Sequence, residues 1–159
     1  MRMKKALKIA AAVIFIGFII AQFFRPDRTN PSIVQAETLQ SSANIPADVQ
    51  NVLSRSCNDC HSNNTVYPWY SNVSPFSWFL ADHIENGRAE MNLSIWNTYS
   101  ASKKSKKLEE ICDEVKSGAM PMPSYLWLHR DAALTESDVK LLCSWALDEK
   151  AAIDAGITR

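Results

Sequence analysis

The stretch Cys57-Asn58-Asp59-Cys60-His61 decides how this chain of 159 residues is read. Two thiols two residues apart, followed at once by an imidazole, match the attachment pattern of a c-type haem. The spacing has a physical reason. On a helical turn the two sulfurs reach the two vinyl groups along one porphyrin edge. The next residue then aims its imidazole at the iron, where histidine is a standard axial ligand. Cys57 and Cys60 are therefore expected to carry one covalently bound haem c, with His61 as the proximal iron ligand. A zinc half-site, a plain disulfide and a redox dithiol compete with this reading. Zinc needs a second ligand pair at matching spacing, whereas Cys112 and Cys143 stand singly. A redox dithiol needs a βαβ setting, and no alternating strand pattern occurs.

Around the motif the periodicity is helical throughout. Pro46 to Asn58 places Val49, Val52, Leu53 and Cys57 on one face. Ser74-Pro75 reads as an N-cap and first-turn proline. Phe76, Phe79, Leu80, His83 and Ile84 form the face that follows, and Gly87 reads as its stop. A third helix is expected over Lys103 to Ser117, with Leu108, Ile111, Cys112 and Val115 inward and Gly118 after it. A fourth begins at Thr135, where Asp138 completes a capping box and Leu134 with Val139 forms a staple. Its inward stripe is Val139, Leu142, Cys143 and Ala146. The fold class expected is all-α, a small cytochrome c-like helical domain around one haem. Cys112 and Cys143 lie on the apolar faces of the third and fourth helices, and a disulfide between them is expected in an oxidising compartment, with two separate buried thiols as the alternative. The long loops 62–73 and 118–124 need a surface to pack on, which a porphyrin supplies.

The other face of the iron is open to several candidates. Met120 is expected as the distal ligand, because Pro121 and Pro123 stiffen the loop that holds its thioether. Met122, His83 and His129 are the alternatives. Tyr67, Pro68, Trp69, Tyr70, Trp78, Trp96 and Trp127 are expected around the porphyrin, with indole and phenol donors available to propionates. The planar fork of Arg88 is expected on a propionate.

The N-terminus sets the compartment. Ala6 to Phe24 is apolar except for Lys8 and Gln22, and basic residues precede it. It is expected to cross a hydrocarbon core of ~30 Å with Lys8 snorkelling and the N-terminus inside. A cleaved signal peptide is the competing reading. The domain plan is an anchor over 1–24, a linker over 25–45, a haem-binding domain over 46–150 and a tail over 151–159. The haem domain is placed on the periplasmic side. Residues 1–36 hold six basic side chains against Asp27 alone, which leaves eleven basic and sixteen acidic ones in the rest. An acidic globular part argues against nucleic acid as a partner. The run Lys103, Lys104, Lys106, Lys107 reads as a solvated helix face or as a docking patch for an acidic partner.

The chain also resembles the small exported haem-binding domain family of bacterial c-type cytochromes. The likeness runs from Gln22-Phe23-Phe24-Arg25-Pro26 through Cys57 to Thr65, Pro68-Trp69-Tyr70, Ser74-Pro75, Trp78, His83 and Gly87-Arg88. It continues through Asn92, Ser94, Trp96, Gly118, Met120-Pro121, Tyr125, His129, Ala132, Leu134 and Trp145. The resemblance implies a membrane-tethered monohaem domain and no defined reaction. Three functions follow as expectations. The first is an electron carrier serving redox partner proteins. The second is a peroxidase-like enzyme or small-ligand sensor with an open sixth coordination site. The third is an assembly factor that binds a partner complex.

Overall fold

The computed structural model describes residues 2–42 and 45–157. Met1, residues 43–44 and residues 158–159, which fall in the expected anchor, linker and tail, lie outside the described residues. Among the described residues the regular elements are α-helices joined by short 3-10 turns, with no strand.

Helix α1 spans Arg2–Ala21 and buries none of its side chains. Three i→i+3 bonds continue its path to Phe24. No helix of the described residues is long and apolar enough to cross a membrane. The expected span over Ala6–Phe24 thus lacks support. Lys4, Lys5 and Lys8 occupy the first half of the helix, and the unbroken apolar run Ile9–Ala21 covers only about 20 Å at 1.5 Å per residue.

Residues 25–42, expected as a linker, are laid along the domain. Arg28 donates to Ser71 and Asn72, Asn30 donates to the Thr65 carbonyl, and Asn97 donates to the carbonyls of Ala36 and Thr38. Leu39 is fully buried in the core. The expected tail likewise begins inside α7, where Ala152 is buried.

Helix α2 spans Ala47–Ser56 and buries Val49, Val52 and Leu53. Cys57 leaves helical geometry at φ −125° and ψ −40°, so the helix expected to run through Asn58 breaks there. A separate turn, α3, covers Asn58–His61. Helix α4 covers Phe76–Glu90 and passes through Gly87 rather than stopping at it. Pro75 holds the cap position, and Ser74 Oγ pairs with Ser77 Oγ instead of capping. Helix α5 covers Ala101–Ser117; it starts two residues before Lys103 because Ser100 Oγ accepts from the Lys103 amide. Gly118, at φ +74°, closes it, a left-handed conformation that glycine adopts without strain. A short α6, Pro123–Leu126, lies just after the Met/Pro loop. Helix α7 covers Glu136–Asp154 behind the expected Thr135/Asp138 capping box.

The core lies mainly between α5 and α7. Leu108, Ile111, Cys112 and Val115 meet Leu142, Cys143, Trp145 and Ala146, and α2, Leu93 and Trp96 close the sides. Each such leucine contributes ~1.5–3 kcal/mol by leaving water. Cys112 and Cys143 are bonded as a disulfide. The lysine run is neither a free patch nor wholly solvated. Lys107 is buried and paired with Glu90 and Glu110, Lys104 donates to Asn97, and Lys103 sits over the Tyr99 ring.

Candidate functional site

Three clefts are lined by one or more of Cys57, Cys60 and His61. One, of about 430 Å³, is lined by Cys57, Cys60, His61, His83, Gly87 and Met120 among others. A second, of about 320 Å³, lies between Cys57, His61, Met91, Val115 and Met120. The third and most apolar, of about 670 Å³, joins Cys60 to Trp69, Phe76, Phe79, Tyr125 and Trp127.

His61 is oriented by the backbone. Its Nδ1 lies 3.1 Å from the Met91 carbonyl oxygen. A carbonyl only accepts, so Nδ1 carries the proton and Nε2 keeps a lone pair for a metal. No residue-type signal marks Met91 for this task, because the contact uses its main chain.

Cys57 and Cys60 are free thiols. Burial, helped by the neighbouring Cys60, pushes the Cys57 thiol up to about 12. Burial, with the charge of Asp59 beside it, pushes Cys60 up to about 11. Both stay protonated at neutral pH, the opposite of the depressed thiols of redox dithiols. Helix α4 approaches this turn closely at Gly87. A Cβ there would lie 2.7 Å from the Cys60 carbonyl oxygen. The glycine expected as a helix stop is thus a close-approach residue inside the helix.

The turn is further braced by Asp59. Its Oδ2 accepts from the Tyr125 hydroxyl at 2.8 Å, its Oδ1 from the Val66 amide, and its carbonyl from Thr65 Oγ1. Burial and the bond to Asp59 hold the Tyr125 phenol protonated, well above its ordinary range. Arg88, expected on a propionate, is engaged elsewhere. Its guanidinium donates to the Ser62 carbonyl, Thr65 Oγ1 and Asn30 Oδ1, which ties the loop after the motif to the N-terminal segment.

Of the distal candidates, Met120 lines two of the clefts beside His61. Met122 and His83 border the first and third. The His83 Nδ1 faces the Phe79 carbonyl at 2.7 Å and its ring packs on Phe79. His129 borders none of the three; its Nε2 bonds the Tyr70 hydroxyl at 2.8 Å and its ring stacks on Tyr125. The expected aromatic group divides. Trp69, Tyr70 and Trp127 line the apolar cleft, Trp96 belongs to the helical core, and Trp78 donates to the Phe24 carbonyl. Leu128 and Tyr125 join the cleft without having been assigned a part in it from sequence.

The residues suit a flat apolar group anchored at the motif. Trp127 is 78% exposed, Trp69 74%, Phe76 59% and Phe79 54%, all around Cys60. A soluble surface seldom leaves so many large apolar side chains together without a partner to cover them. Among the described residues no cluster of His, Cys, Asp and Glu forms a rival metal site.

A helical fold with thiols and an oriented imidazole at an aromatic cleft defines a haem-protein class. The chain belongs to the haem-binding domain family, whose model matches residues 16–148. No curated protein and no solved structure matches it.

Proposed function

We propose that this protein is a membrane-tethered monohaem c-type cytochrome that passes single electrons between redox partner proteins. One observation carries the reading: His61 is held with Nε2 available, at clefts it shares with both cysteines and Met120. When bound, a haem supplies one-electron Fe(III)/Fe(II) chemistry, and Met/His ligation raises its potential. Cys57 and Cys60 would hold it by adding each S–H across one vinyl group, so that a C–S bond forms and nothing leaves. His61, through Nε2, and the Met120 thioether would ligate its iron. Trp69, Phe76, Phe79 and Trp127 would exclude water from its edge.

The disulfide between α5 and α7 supports an extracytoplasmic setting. The basic start of α1 followed by an exposed apolar run supports attachment to the cell membrane with the N-terminus inside. The acidic balance of the rest disfavours nucleic acid.

His83 favours a second reading, a peroxidase-like enzyme or ligand sensor with an open sixth position. Its Nδ1 is occupied by the Phe79 carbonyl, and its ring borders the same cleft as His61. Carbon monoxide added to the reduced holoprotein separates the two. The carrier is expected to bind none, to show a weak far-red sulfur–iron band when oxidised, and to lose that band and admit carbon monoxide on Met120→Ala. Rapid stoichiometric binding to the unaltered protein overturns Met120 ligation in favour of the open site.

A further inference from the structure

The end of α1 is clamped onto the start of α4. Gln22 Nε2 donates to the Ser74 carbonyl at 3.0 Å, and Gln22 Oε1 accepts from the Ser74 amide at 3.0 Å. This two-point amide pair sets direction as well as contact. Two residues on, the Phe24 carbonyl accepts from the Trp78 indole. Arg28 then reaches Ser71 and Asn72, in the turn just before α4. The chain leaving α1 therefore does not swing free of the domain.

The clamp brings the stretch after α1 beside the first turn of α4, and both carry exposed aromatic residues. Phe23, Phe24, Phe76 and Trp78 are all open to solvent, and Phe76 also lines the apolar cleft beside Cys60. They sit where the apolar second half of α1, which has no buried side chain, meets the domain. Aromatic rings at that place match the belt found at membrane–water interfaces. The indole of Trp78 suits this level, because its body is apolar and its N–H is already satisfied. The patch also prolongs an apolar run that is short for a bilayer.

We propose that the end of the domain around this clamp, with Phe23, Phe24, Phe76 and Trp78, beds into the headgroup layer of a bilayer, so that the haem cleft, which Phe76 borders, opens at the membrane surface. The inference rests on the membrane attachment of α1. It assigns the domain a fixed orientation relative to the bilayer. A domain on a free tether would sample all orientations instead.

Photo-crosslinking of full-length holoprotein in phosphatidylcholine/phosphatidylglycerol vesicles tests it. Phe18→p-benzoylphenylalanine reports on α1, Phe76→p-benzoylphenylalanine on the proposed face, and Asp113→p-benzoylphenylalanine on exposed α5. Lipid adducts are expected at 18 and 76 and not at 113. Adducts at 18 without 76, or equally at 76 and 113, overturn the orientation while leaving the attachment of α1. Absence at both 18 and 76 overturns the attachment as well. In native membranes, a protein adduct in place of lipid at 76 overturns the bilayer as occupant. Gln22→Ala with Trp78→Phe removes the clamp and is expected to lower the adduct at 76 several-fold relative to 18. An unchanged ratio, with the Soret spectrum intact, overturns the clamp.

Discussion

The α5–α7 pair and the region around α3, α4 and α6 solve the problem of folding differently. In the first, long helices bury a continuous apolar seam with a disulfide across it. In the second, the elements include two four-residue turns, and Trp69, Phe76, Phe79 and Trp127 stay largely exposed. One half is completed by its own side chains. The other presents apolar surface around Cys60 that its own side chains leave uncovered. The difference teaches where dependence on the cofactor is concentrated, and substitutions can sharpen or break the contrast.

The largest effect is expected from Cys57→Ser with Cys60→Ser. Haem staining on a denaturing gel should vanish. Limited proteolysis should open the loops at 62–73 and 118–124 before it reaches the α5–α7 pair. Retained staining, or uniform digestion of both halves, breaks the contrast. Cys112→Ser with Cys143→Ser should act on the other half. Release of a cross-link across 31 residues of sequence should cost roughly 2–4 kcal/mol in denaturant unfolding and leave the Soret band in place.

Gly87→Ala acts inside the second region, where α4 packs on α3. The added methyl meets backbone at Cys60, so an overpacking cost of about 1–3 kcal/mol is expected, together with a shifted Soret band. A surface glycine would give neither. The smallest effects lie at the start of α7. Thr135→Ala should cost about 1 kcal/mol through the lost cap. The amide and hydroxyl of Thr135, and then Arg55, hold Asp138 below the ordinary carboxylate range. That contribution is present above the unfolded value and is lost as pH falls through the folded one. Asp138→Asn should therefore flatten the acid limb of a stability profile while leaving the haem spectrum alone.

What was legible in the sequence was local. Thr135 and Asp138 bond within one turn, and Gly118 ends α5 by its own backbone angle, so both features could be read from neighbouring residues. Gly87 carries the same residue type as Gly118 but answers to Cys60 across a helix contact, and it therefore looked like a stop. Arg88 looked available for a propionate because its partners Ser62, Thr65 and Asn30 are 23 to 58 residues away. Residues 25–42 read as a tether because isolated polar side chains and the lone Leu39, and not a periodic apolar pattern, fasten them down.

Helical class, family and the five-residue motif are written in the residues themselves, since periodicity, caps and the thiol–imidazole spacing are properties of short stretches. Long-range packing sets the rest: the Met91 carbonyl turns His61, Met120, Met122 and His83 reach the clefts while His129 does not, and α1 is clamped to α4. Those outcomes depend on which distant backbone and side-chain groups are brought within hydrogen-bonding range, and no local pattern encodes that.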